Sequence, residues 1–373
     1  MLNTGCVLTD YMYDERELPR LIDEYGYFSR RTARTQRQDG IGHAEQRFQI
    51  AMSPRIGGGR GTHLSDAHAR EMQTAMLCTC SELEEPGFRQ TIAMSLPRLD
   101  PWPRWELARE LALGQYGDLL TGVDFCGFEE GHAPKDKARF FAEVHGFNRR
   151  HPERALAILY HVGESFEDKS LERAVRWVHE AAELGTHRLG HAIALGIDPD
   201  AYGPHERSES AGERADQLRY DLKHADGLRS ACVEVDEPAV EAELLRVEAL
   251  PSDTGLIVKY GAERLEEVRR RQEFAAGRVR ELGAVVEVCP TSNRRIGGIA
   301  SPDHHPVHRF LDWGLPMAIG SDDPGIFDTT LADEIRWVVE TAGLGDGAFE
   351  DLAAQVWGYR SEVLTGRERR ATP

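Results

Sequence analysis

The chain has 373 residues, 40% of them hydrophobic, enough for one large domain or two modest ones with a sizeable core. Its 45 Lys and Arg against 63 Asp and Glu leave a formal charge of −18, which repels phosphate backbones and argues against general nucleic-acid binding. No apolar run approaches the roughly 18 residues of a membrane span, and the first residues lack a basic stretch followed by an apolar one, so neither a membrane span nor a secretory signal is expected.

Short, near-continuous apolar runs predict strands at 47–53, 91–96, 119–125, 156–161, 186–190, 284–289 and 316–321. Such runs fit parallel strands covered on both faces. Amphipathic stretches predict helices at 136–149, 168–184, 262–282 and 330–342, the last capped by Thr329, Thr330 and Asp333. The alternation implies right-handed βαβ units, in an α/β fold that is either an open doubly wound sheet or a TIM-type (β/α)₈ barrel. Asp124, His161, His191 and the pair Asp322-Asp323 each end a different apolar run. Four separated strand ends converge on one mouth only in a barrel, so the barrel is favoured. A closed barrel needs an eighth strand, and only seven are visible.

The stretch from about 196 to 262 breaks the rhythm, because a βα unit averages roughly 30 residues. It reads as a charged insertion on a single barrel domain spanning 1–373, serving as an oligomer contact or a lid. Its segment HERSESAGERADQLRYDLKHADGLRS is expected to be partly mobile, and DEPAVEAELLRVEAL to be helical. The six cysteines form no CxxC pair, which fits a reducing cytoplasm and excludes a disulfide scaffold or a four-cysteine zinc site. The glycine patch Gly57-Gly58-Gly59-Arg60-Gly61 lacks the G-K-[ST] of a phosphate loop; with Arg55 and Arg60 it could hold a phosphate, but a plain loop is the better reading.

Taken singly, these polar residues say little. A histidine ending a strand is more often a hydrogen-bonded core residue than a ligand, and paired aspartates often cap helices. Their combination is specific. The segments Gly122-Val123-Asp124-Phe125-Cys126-Gly127-Phe128-Glu129-Glu130, His161-Val162-Gly163-Glu164, Arg188-Leu189-Gly190-His191, Glu287-Val288-Cys289-Pro290-Thr291-Ser292-Asn293 and Ser321-Asp322-Asp323-Pro324 follow one another at strand ends. In order and spacing this sequence resembles the adenosine/AMP deaminase family of metal-dependent hydrolases. The resemblance implies hydrolytic loss of ammonia from a 6-aminopurine, either adenosine or an adenine nucleotide. It implies one Zn²⁺ that lowers the pKa of its water to roughly 7. His161 and Asp322 would be metal ligands, and His191 would orient the attacking water or act as its base. Glu164 would protonate ring N1, Asp323 would bond N7, and the backbone of Gly127 would read N3, its missing side chain permitting close approach. Phe125 and Phe128 would pack either on the purine or in the core. Some large ATP-directed deaminases of bacterial antiphage complexes are of this type, and the long insertion is compatible with such a relative.

One departure stands out. The family's first strand ends in H-x-H, two histidines whose period-2 spacing aims both rings at the metal, and no H-x-H occurs in this sequence. The seven runs match the family's second to eighth strands, so the missing motif and the missing strand are one absence. Three explanations stand open: an upstream portion of the reading frame carries the strand, a complementing chain or partner subunit supplies it, or the protein has lost catalysis and serves as a binding or scaffolding subunit. The structural cost of two bare sheet edges favours the first two.

Overall fold

A computed structural model of the protein describes residues 18–48, 66–127, 129–164, 169–299 and 301–367. Among them are seven parallel strands in one sheet and two antiparallel strands in another. The large sheet contains β1 (His43–Phe48), β2 (Arg89–Ser95), β3 (Leu120–Asp124), β4 (Ala157–Val162), β5 (Arg188–His191), β8 (Val285–Val288) and β9 (Met317–Ile319). The small one pairs β6 (His205–Ser210) with β7 (Gly255–Tyr260).

The large sheet runs β1-β2-β3-β4-β5-β8-β9 in chain order. A doubly wound sheet reverses its order at a switch point, so that alternative is excluded. The sheet is also curled. Glu45 and Arg47 share one face of β1, as residues two apart must. Arg47 pairs with Glu287 of β8, and Glu45 with Arg188 of β5 at 2.7 Å, although β2, β3 and β4 lie between β1 and β5 in the sheet. Only a sheet rolled toward closure brings those side chains together. The result is a seven-stranded partial barrel of the TIM type, with helices outside.

Two helices illustrate the outer layer. Leu171–Glu183 is capped by Ser170, whose hydroxyl accepts from the Arg173 amide at 3.1 Å, and buries Val175, Trp177 and Val178. Leu331–Thr341 starts with the expected capping box: Thr330 and Asp333 satisfy each other's amides, while Thr329 donates to Glu334 at 2.6 Å. The C-terminal segment closes the floor of the barrel. The Ser361 amide donates to Glu45 at 2.7 Å, Arg89 pairs with Glu362 at 2.8 Å, and Arg367 donates to the carbonyls of Gly117 and Leu120.

Two expectations change. The first strand begins at His43 rather than 47, because its inward positions carry the ion pairs just described and hide it from an apolar window; positions 49–53 lie outside the described residues. The stretch 196–262 holds regular secondary structure: β6 and β7 bracket helices at Ala211–Lys223, Ala225–Ser230 and the expected Glu237–Glu248. The glycine patch with Arg55 and Arg60, and Phe128, lie outside the described residues. No helix among the described residues is long and apolar enough to cross a membrane.

β1 and β9 are the two end strands, and between them lies a cavity of about 610 Å³. His43, Ala44 and Glu45 line one wall; Ala318, Ile319 and Gly320 line the other. Among the described residues the seam of the barrel is therefore a slot, walled also by the helix Leu18–Gln38.

Candidate active site

The carboxyl ends of β3, β4, β5, β8 and β9 meet at one mouth. His161, from β4, donates its Nδ1–H to the Asp124 carboxylate of β3 at 3.1 Å, and its ring stands 5.2 Å from that of His191. Asp124 is fully buried. Burial opposes charge on both partners, but their mutual attraction prevails: the Asp124 carboxyl falls below its usual range, and the His161 imidazole rises to about 9. With Nδ1 held by a carboxylate, Nε2 is the nitrogen left for a ligand role, the arrangement common behind metal-bound histidines.

His191 Nε2 lies 3.3 Å from Glu164 Oε1, and ligand atoms of Glu164, His191 and Asp322 all fall within 4.8 Å of one another. His161, Gly190, His191, Cys289, Asp322 and Asp323 line a pocket of about 30 Å³ beside them, the size of one water or one ion. Thus three of the six sequence-derived site residues gather directly, and His161 and Asp323 share the wall of the adjoining pocket. Gly127 lies just beyond Cys126, which also lines that pocket. A Cβ there would meet nothing within 4 Å among the described residues, but φ is +82°, a left-handed backbone that side chains resist.

The backbone at the mouth is strained where the chemistry would sit. His191, Ala192 and Asp322 have φ of 63°, 47° and 53°, all in the left-handed region that non-glycine residues seldom occupy. Gly190 has a steric role. A Cβ at that position would stand 3.1 Å from both Cα and Cγ of His161. Gly190→Ala is expected to cost about 1–3 kcal/mol and displace the His161 ring, checked by urea denaturation and the His161 proton resonances.

Several supporting residues escaped sequence reasoning. Glu129 accepts from the amides of Gly163 and Glu164 at 3.0 and 3.1 Å, fixing the turn that presents Glu164. Buried Arg98 donates to the carbonyls of Phe125 and His161 at 2.7 and 2.6 Å, binding two strand ends together. Asn293 sets the tautomer of His191. Its Oδ1 accepts from the Cys289 amide at 3.2 Å, so its Nδ2 must donate to His191 Nδ1, 2.8 Å away. A neutral His191 then carries its proton on Nε2, facing Glu164. Cys289 is buried with its thiol pushed well above the usual range by that burial and then by Asp322, so it stays protonated and is a poor ligand.

The donors suit a zinc-type ion: Glu164, His191 and Asp322 offer one imidazole and two carboxylates close together, and the His161 imidazole lines the same ion-sized space. They are fewer than a closed site needs if Glu164 keeps a separate task.

Residues 257–371, which include Glu287, Asn293, Asp322 and Asp323, match the family model described as adenosine deaminase. Over that stretch the chain is similar to the adenosine deaminase family. An aminodeoxyfutalosine deaminase from Acidothermus cellulolyticus is 43% identical over 79 residues, 19% of this chain and 22% of that protein. An adenine deaminase from Rhizobium johnstonii is 38% identical over 75 residues, 20% of this chain and 23% of the relative. The matched stretches thus span about a fifth of the curated relatives' length. The fold likeness is wider. A zinc-bound amidohydrolase from Burkholderia ambifaria superposes with a TM-score of 0.56 at 14% identity, covering 98% of this chain and 74% of that one. The N6-methyl-AMP deaminase of Arabidopsis thaliana gives 0.52 at 16%, covering 94% and 79%. The two solved structures share the barrel fold; His161, Glu164 and His191 lie outside the family-model match and rest on the geometry.

Proposed function

We propose that this adenosine deaminase relative removes ammonia from a 6-aminopurine, with water entering at C6 and the 6-oxopurine leaving. The reading is carried by the convergence of Glu164, His191 and Asp322 from three strand ends within 4.8 Å. His161 and Asp322 would hold a zinc ion, which supplies Lewis-acid activation of the attacking water. Glu164, held by Glu129 through two amides, would carry the proton delivered to ring N1. Because Asn293 occupies Nδ1, His191 would orient the water or the developing oxyanion as an Nε2–H donor rather than remove a proton as a base. Asp323 would bond N7, and the left-handed turn at Gly127 would bring a backbone group to N3.

The missing ligands have a place to come from. An eighth strand bearing H-x-H would fill the slot between β1 and β9, pair with both end strands and bring two imidazoles to the mouth. Zinc content and ammonia release from adenosine, AMP and ATP, measured with and without a supplied H-x-H strand, test this. Metal bound at the mouth with no ammonia from any of the three defeats the deaminase reading. The competing reading, a non-catalytic subunit, draws on the absence of H-x-H; it requires well under one zinc at this mouth and no change in function on Glu164→Gln.

Asn293→Asp offers a finer test. The carboxylate would accept from Nδ1–H and move the ring proton away from Nε2. A fall of about 10–100-fold in kcat with little change in KM is expected, read from steady-state kinetics of the complemented protein.

A further inference from the structure

A second group of metal-ligating side chains lies far from the mouth. His179 and Glu183 sit one turn apart on the helix Leu171–Glu183, and His224 follows the helix Ala211–Lys223. Ligand atoms of the three all fall within 4.8 Å of one another. His179 Nε2 is 4.0 Å from Glu183 Oε1, and His224 Nε2 is 3.5 Å from Glu183 Oε2, both too long for good hydrogen bonds. Both Nε2 atoms are buried without a hydrogen-bond partner among the described residues, and His179 is 0% exposed. A fully buried histidine nitrogen with nothing to bond is costly and needs a reason.

The other nitrogen of His179 supplies one. Nδ1 stands 2.7 Å from the Tyr220 hydroxyl. With Nδ1–H donated to that oxygen, Nε2 presents a lone pair toward Glu183, the second contact that typically orients a metal-bound imidazole. Donors bound at about 2.0–2.1 Å in a tetrahedron lie roughly 3.4 Å apart. Taking one ligand atom from each residue, the three lie within 4.8 Å of one another and need a contraction of at most about 1.4 Å to reach that spacing. A cavity of about 340 Å³, lined by His224, Gly227, Phe274 and Arg278, adjoins the cluster and leaves room for a fourth, water or external, donor. Positive charge opposes the ion: Arg278 lines that cavity, and Lys223 bonds Glu183 Oε2 at 2.7 Å. Lys223 is 62% exposed and can swing into solvent.

We propose that His179, Glu183 and His224 form a second divalent transition-metal site, of zinc type, that clamps the 205–260 segment onto the barrel's outer helix. It shares no residue with the mouth and does not depend on the deaminase reading. The test uses the full chain carrying Asp322→Asn, titrated with Zn²⁺ alone. One zinc per chain is expected to remain, and Zn²⁺ to raise the Tm progressively. His224→Gln in that background is expected to remove this zinc and the Tm response, and Tyr220→Phe to weaken binding about 10-fold without unfolding the chain. No zinc in the Asp322→Asn protein, or full zinc retention in His224→Gln, overturns the proposal. If His179→Gln fails to fold, the better-exposed His224 and the conservative Tyr220 variant still decide.

Discussion

Glu164→Gln is expected to lower kcat by about 10²–10⁴-fold, the usual range for losing a general acid, while leaving zinc content at the mouth unchanged. Glutamine keeps the shape and the amide contacts of Glu129 but cannot carry a proton. The two readouts matter together because Glu164 sits inside the three-residue group that could itself ligate a metal. A proton carrier loses rate and keeps the ion; a ligand loses both. Loss of zinc in Glu164→Gln would move Glu164 from the proton-handling role to the ligand set and leave N1 without its donor. Wild-type rates in the complemented protein would remove it from the chemistry altogether.

The fold was legible where burial dictates composition. β2, β3, β4, β5, β8 and β9 are buried on both faces, so Ile92-Ala93-Met94 or Ile158-Leu159-Tyr160 announce themselves as apolar runs. β6 and β7 were not legible. HERSES and GLIVKY form an exposed ribbon in which alternate residues face solvent, and the first carries almost no apolar side chain. β1 misled for the opposite reason: HAEQRF is polar because its inward face is neutralised inside the barrel by Arg188 and Glu287.

The site shows the same division. Residues that would touch metal or purine recur as short local motifs and could be found. Arg98 and Glu129 act on backbone atoms of Phe125, His161, Gly163 and Glu164, partners that only the rolled sheet brings near. Asn293 stood within a legible motif, but its effect on His191, 102 positions away, needed the amide orientation that Cys289 imposes.

Glu287→Gln should produce the largest loss of stability. Glu287 is buried between Arg47 and Arg188, the latter at 3.0 Å, and these two guanidiniums draw its carboxyl well below the usual range against the opposing effect of burial. The interior then holds Arg47, Arg188 and a raised-pKa His161 against Glu45, Asp124 and Glu287, a near balance. Removing one carboxylate leaves buried positive charge uncompensated, typically about 3–5 kcal/mol. The pH dependence follows from the sign of the shift. A carboxyl whose pKa is depressed by folding contributes fully above its unfolded value, near 4.3, and loses that contribution as pH falls toward the folded value. The gap between wild type and Glu287→Gln, measured by urea denaturation, should be largest near pH 7 and shrink by up to about 1.4 kcal/mol per unit below about pH 4.3. A loss under about 1 kcal/mol, or a gap indifferent to acid, would mean the pairs merely tolerate one another. The point bears on the seam as well. Arg47–Glu287 and Glu45–Arg188 are the struts that hold β1 toward β5 and β8 while its other edge faces the slot. An eighth strand should therefore recover part of the lost stability in Glu287→Gln, because it would hold β1 and β9 from the side those struts no longer secure.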